Sequence, residues 1–425
     1  DFSGITVGTV TAGSNYTLGS LTNGKMTYAS DARLATNGTM LNGRNTNIYL
    51  NGTSDIKAEA GATGVVAVAL DGQYTGGAPI TPGVDGKNDG QIILGNSSVG
   101  LYGKNDARFE NTHIITVGDD SAGIYTDGAL ASIKNTGTIT IGNNSQGLYL
   151  KNGDTIDNGG SILSSGISTV GIFADNVTNP VINTGIIDLS GDKSVGIYKT
   201  GAVNSISNNN IIKIGDSSDL NDPGIGIYSN TAGDIITNSG TIDTGKNSIG
   251  IYAEGAAVNQ NNILSVGATG TGIYTKGGTV TLGAGSNITV GSNESVGVYG
   301  TNGTHITNNS TNAVNINNGG YGFILETGSL LDNHGILSLN GKGTGVYSDG
   351  LNTVNNYTGA DINMSGDNNI GIYMVSGGIV NNDADINGAA GKSNIGIYNK
   401  NGTINNIGTI NVGNSVLVYK SDGTV

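Results

Sequence analysis

The stretch GIYTDGALASIKNTGTITIGNNSQGLY, residues 123–149, decides the fold. It opens on Gly123-Ile124-Tyr125 and closes on Gly147-Leu148-Tyr149, and between these triplets lie Ile133, Asn135, Gly137, Ile139 and Ile141. Apolar residues two apart, interrupted by Gly and Asn, describe short half-buried strands and leave no room for a helix. The phrase returns at Ile236, Asn238, Gly240 and Ile242, and again at Ile404, Asn406, Gly408, Ile410 and Val412. The triplet runs from Gly100-Leu101-Tyr102 to Gly396-Ile397-Tyr398, with degenerate copies at Gly322-Phe323-Ile324 and Leu417-Val418-Tyr419. Successive copies are about 24 residues apart, the mark of a repeat architecture.

Three strands of four to six residues per repeat predict an all-β chain: a right-handed, single-stranded parallel β-helix whose coils stack about 4.8 Å apart. Residues 96–425 read as regular coils. Residues 1–95 are less regular, but Asn47-Ile48-Tyr49-Leu50-Asn51-Gly52 resembles Gly147 to Gly153, so they read as divergent coils of the same helix. A long loop is expected at 71–90, with Pro79, Pro82, Asp71, Asp85 and Asp89. A second insertion falls between Tyr198 and Tyr228, with Asp216, Asp219, Asn221, Asp222 and Pro223.

Parity sets the faces of the triplet strand. Two positions beyond the aromatic stand Lys104, Asp127, Lys151 and Asp175, which a dry core excludes, so the aromatic shares their outer face. The residue before the aromatic then points inward, with Val99, Val170, Val195, Ile249, Val296 and Ile370 two residues earlier expected on the same inner side. The Tyr row becomes an outer ladder. Asn135, Asn158, Asn208, Asn238, Asn333, Asn356, Asn382 and Asn406 are expected to form a second ladder, their amides bonding along the axis.

Composition agrees. The 425 residues include 74 Gly and 57 Asn, no Trp and only 4 Pro, too turn-dense for long helices and too apolar, at 36% hydrophobic, for a disordered tract. The net charge of −14 repels phosphate backbones, which excludes nucleic acid as a partner. The absence of cysteine removes disulfides, thiolate chemistry and thiolate metal sites together. The longest purely apolar run, Val65 to Leu70, is far too short for a spanning helix. The chain starts at Asp1 without a basic and then apolar leader, and reads as a matured or excised piece.

Chemistry is sparse. A polysaccharide hydrolase or lyase needs clustered carboxylates over a groove, whereas Asp119-Asp120 and His334 lie about nine coils apart and read as turn residues. His113 and His305 are isolated and fit no zinc spacing. No cofactor and no metal is expected, the acids of Asp216 to Asp222 reading as solvated turn residues. The candidate partner-binding residues are those of the two insertions, Tyr74, Asp85, Asp219 and Asp222, because regular coils repeat one surface while insertions break it. Tyr252 and Tyr274 stand for the ladder as a possible stacking surface.

The tandem phrase Ser194-Val195-Gly196-Ile197-Tyr198, repeated as Ser248-Ile249-Gly250-Ile251-Tyr252 and Ser295 to Tyr299 in a cysteine-free acidic chain, resembles the passenger domains of large fusobacterial type V autotransporter adhesins. The resemblance covers residues 96–425 well and 1–95 loosely. It implies display on the bacterial surface, a C-terminal outer-membrane β-barrel in the same polypeptide, and non-enzymatic attachment to other bacteria and host cells through glycan or protein receptors. A β-helix carbohydrate-active enzyme and a purely structural stalk are the alternatives.

Overall fold

The computed structural model describes residues 10–12, 14–80, 82–413 and 416–421, in two compact units, Asp1–Lys213 and Ile214–Val425. Both are β-solenoids of about 24 residues per coil, and the described residues contain no helix. A coil of the first unit shows the design. Ala122–Asp127 carries the triplet, Ser132–Asn135 ends on the ladder asparagine, and Thr138–Ile141 completes the turn. Each pairs in parallel with its counterpart one coil on: Ile124 with Leu148 and Tyr125 with Tyr149, Asn135 with Asn158, and Ile139 with Ile162. The second unit repeats this, as in Tyr252 with Tyr274 and Leu264 with Ile288.

The core is a stack of aliphatic layers. Leu101, Ile124, Leu148, Ile172 and Ile197 are wholly buried in the first unit, as are Ile227, Ile251, Ile273 and Val298 in the second. At about 1.5–3 kcal/mol per buried aliphatic side chain, each coil adds its own increment through contacts with its neighbours. The residue before the aromatic therefore points inward, as parity requires.

Two residues earlier the expectation holds only at Val296, which is buried, while Ile249 and Ile370 are half-buried. Val99, Val170 and Val195 are only half-buried, while the intervening Gly100, Gly171 and Gly196 are buried beside the inward aliphatic. The strand turns at the glycine, so parity resets there. A Cβ on Gly147 would lie 2.6 Å from the Gly171 carbonyl oxygen and 2.7 Å from Ile162, which explains the triplet's invariable first residue in these coils. The serine before that valine faces inward instead. The amide of Ser98 donates to the Ser121 hydroxyl, and that of Ser121 to the Ser145 hydroxyl, each at 3.0 Å.

The asparagine ladder forms as expected. Each Nδ2 donates to the Oδ1 one coil on, through Asn88, Asn111, Asn135, Asn158, Asn183 and Asn208 at 2.7–2.8 Å. In the second unit Asn308, Asn333, Asn356, Asn382 and Asn406 repeat it at 2.7 Å, and Gln260 substitutes for an asparagine after Asn238. The second N–H of Asn135 and of Asn382 closes onto the carbonyl two residues on. Buried amides thus satisfy one another, as groups removed from water must.

No break separates the divergent coils from the regular ones, since Val66–Asp71 pairs in parallel with Val99–Lys104. The expected loop at 71–90 is shorter than its sequence suggests. Gly86–Asn88 is a strand paired with the following coil, and Asn88 heads the amide ladder, so the excursion ends at Asp85. Gly86 lacks the side chain found at this position elsewhere, and the Phe109 ring fills that space: a Cβ on Gly86 would sit 2.4 Å from it.

Candidate functional site

Of the four insertion residues, two come together and two lie elsewhere. The excursion after Asp71 is strapped down: Asn45 Oδ1 accepts from the Thr75 amide at 2.8 Å, Asn47 Oδ1 from the Ile80 amide at 2.6 Å, and Lys25 donates to the Ala78 carbonyl. Tyr74 is half-buried, its hydroxyl donating to the Gly76 carbonyl. Asp85, expected to project toward a partner, is wholly buried. Arg108 donates from Nε at 2.9 Å and from a terminal nitrogen at 3.1 Å, and the amides of Tyr74 and Arg108 donate at 2.8 and 2.9 Å. This carboxylate anchors the loop from within and offers nothing to a partner.

Asp219 and Asp222, in the second unit, are exposed. Asp219 Oδ1 accepts the Asn221 amide at 2.9 Å, while the Asp222 carbonyl accepts the Ser217 hydroxyl. Leu220 between them is 63% exposed, so this turn does present both charge and apolar surface. Among the described residues no three His, Asp or Glu side chains gather into a metal-binding group. Asp119 and Asp120 serve their turn: Asp119 Oδ1 accepts the Asn143 amide at 2.7 Å, and Asp120 Oδ1 accepts Asn144 Nδ2.

The aromatic ladder is half-buried on the outer face. Tyr228, Tyr252, Tyr274 and Tyr299 stack at 5.0–5.2 Å between ring centroids, within 23° of parallel. In the first unit the contacts alternate, Tyr102 on Tyr125 parallel and Tyr125 against Tyr149 edge-on. The faces of Tyr252 and Tyr274 are therefore covered by neighbouring rings, which leaves their edges for a ligand. Tyr252 donates to Glu254 at 2.6 Å. Burial, with Asp127 close by, pushes the Tyr125 phenol up to about 12. An unfolded chain loses that proton nearer pH 10 and so binds fewer protons than the folded one above it, which makes stability fall as pH rises through this interval. Phenolate absorbance should accordingly report tyrosines that resist ionisation until the protein melts, with Tyr125→Phe removing part of that delay.

Sequence reasoning missed a polar cluster in the second unit. Asp332 Oδ2 lies 2.7 Å from His305 Nε2, and its Oδ1 accepts Asn355 Nδ2 at 2.7 Å and the Tyr357 hydroxyl at 3.3 Å. His334 stacks on Tyr357, centroids 4.3 Å apart and 5° from parallel. Burial pushes the Asp332 carboxyl up, but the bonds from Asn355 and His305 outweigh it and hold the group below the usual carboxylate value. The signal was present: His305, Asp332 and Asn355 belong to consecutive coils, 27 and 23 residues apart, and Tyr357 follows two positions after Asn355. The remaining histidine, His113, lines a shallow groove of about 530 Å³ in the first unit beside Gly137, Gly160 and Gly185.

Comparison with protein-family models, curated proteins and solved structures finds no match for this chain.

Proposed function

We propose that this chain is part of the passenger of a surface-displayed adhesin, anchored through an outer-membrane β-barrel and attaching its bearer to other bacteria and host cells through glycan or protein receptors. The observation that carries the reading is the way the coils are held. Aliphatic layers, amide ladder and serine ladder are all made between adjacent coils, so stability accumulates along the chain without cysteine. A chain built this way suits secretion in an extended state followed by coil-by-coil folding, and exposes one repeated surface broken only at chosen sites. The strapping down of the 72–85 excursion favours the stalk alternative for that part of the molecule.

Beads coated with the purified chain should attach to target bacteria or epithelial cells above beads coated with an unrelated β-solenoid. Because the chain is acidic, attachment through a basic receptor patch should weaken as salt is raised toward about 1 M, where the Debye length is about 3 Å. Asp219→Asn with Asp222→Asn should reduce it in low salt. Attachment equal to the control beads on every cell type would leave the stalk reading.

A further inference from the structure

One surface departs from the repeated pattern in a way that suggests a ligand. The residue following the ladder asparagine is His334, Tyr357, Asp383 and Ile407 in four successive coils, each of the last three held at coil spacing by its amide donating to the preceding ladder residue's carbonyl, at 3.0, 2.8 and 3.0 Å. Two residues before each of these three, on the outer face of the sheet, stand Asn355, Asn381 and Asn405. The two columns enclose a cleft of about 340 Å³ lined by Asn355, Tyr357, Asn381, Asp383, Asn405 and Ile407.

The walls of this cleft are unlike the rest of the solenoid. Tyr357 is 37% exposed, and His334 covers one ring face and fixes its plane. Ile407 is 85% exposed, the most exposed large apolar side chain among the described residues. Apolar groups thus stand at the two ends, two coils apart, with a carboxylate between them. Along the side, Asn381 donates to Asn355 at 2.7 Å and Asn405 to Asn381 at 2.8 Å. Each of these bonds spends one of the two N–H groups and one of the lone pairs of an amide, so the row presents further donors and acceptors toward solvent.

We infer that this cleft binds a neutral sugar unit of a glycan. Sugar hydroxyls both donate and accept, which matches amides that do the same, and the apolar C–H face of a pyranose packs on an aromatic ring and an aliphatic side chain. A carboxylate at the centre accepts from two adjacent hydroxyls. An organic cation would use the ring and Asp383 but carries no acceptor for the N–H groups of the amide row. The volume takes a mono- or disaccharide unit, within the range of small-ligand sites.

The inference deepens the adhesive reading and rests on it only for its biological setting, since sugar binding by the purified chain and attachment to cells are separate measurements. Saturation-transfer NMR on the full chain with lactose, cellobiose and chitobiose should show transfer to at least one of them. Tyr357→Ala should weaken that binding by about tenfold, and Ile407→Ser, at a site too exposed to affect folding, should weaken it too. Val203→Ser, at an exposed position of the first unit outside the cleft, should leave it unchanged. Absence of transfer from all three sugars, or equal transfer with the parent and both cleft variants, would overturn the site. Stronger binding of guanidinium or tetramethylammonium than of any sugar would overturn the ligand assignment. Cell attachment that persists in a Tyr357→Ala chain deficient in sugar binding would keep the cleft and move the adhesive surface elsewhere.

Discussion

Asp85→Ala should lower the melting temperature by about 10 °C, among the largest effects of any single change outside the aliphatic layers. The substitution removes a wholly buried carboxylate that accepts four hydrogen bonds, two from the Arg108 guanidinium and two from backbone amides. What remains is a guanidinium about one-quarter exposed and two amides with no acceptor. Breaking a buried pair by removing one partner costs about 3–5 kcal/mol, because the surviving charge keeps its desolvation cost. In a unit of roughly 200 residues each kcal/mol moves the melt by about 2–4 °C. Asp85→Asn, which keeps one acceptor oxygen and the shape, should lose about half as much. Proteolysis should then cut between Gly72 and Val84 in the alanine variant before it cuts elsewhere, since the Tyr74 amide is one of the ties lost. A parent-like melt for Asp85→Ala would show that the strapping by Asn45, Asn47 and Lys25 suffices without the carboxylate.

The same residue shows where the sequence was legible and where it was not. Period and parity identify the coil, the inward aliphatic of each triplet and the amide ladder, because all three depend on local spacing that repeats. Asp85 could be read only as an acid in a proline- and glycine-rich stretch. Its burial depends on Arg108, which lies one coil away in space but 23 residues away in sequence. Gly86-Lys87-Asn88 hid its strand for a related reason: the apolar residue expected in its middle layer is supplied by Phe109 from the next coil. The half-buried Val99 and Val195 were misplaced because a simple alternation assumes an even pleat, and the triplet glycine bends it. The Asp332 cluster and the Tyr357 cleft become visible only when residues are compared at equal phase in successive repeats. A solenoid's sites are assembled across coils, so reading along the chain finds the scaffold first.

Ile197→Asp tests the scaffold itself. Ile197 lies in Val195–Thr200, is in register with Ile172 of the preceding coil, and is wholly buried. An aspartate there has no donor in reach among the aliphatic layers, and an unpaired buried charge of this kind costs on the order of 4 kcal/mol or more. Thr200→Asp, three residues on and half-buried on the outer face, should cost under about 1 kcal/mol. Lys199, between the two, is a different case. It is wholly buried, its ammonium donating to the Ala202 carbonyl, so Lys199→Asp should also destabilise. Because neighbouring coils stabilise one another, the Ile197 variant should show its earliest loss of amide protection in Val170–Asp175 and Val195–Thr200, with protection kept in the coils around Ile48 and Ile92. Melting and exchange like the parent's would remove the inward assignment of the triplet aliphatic, on which the whole arrangement of coils depends.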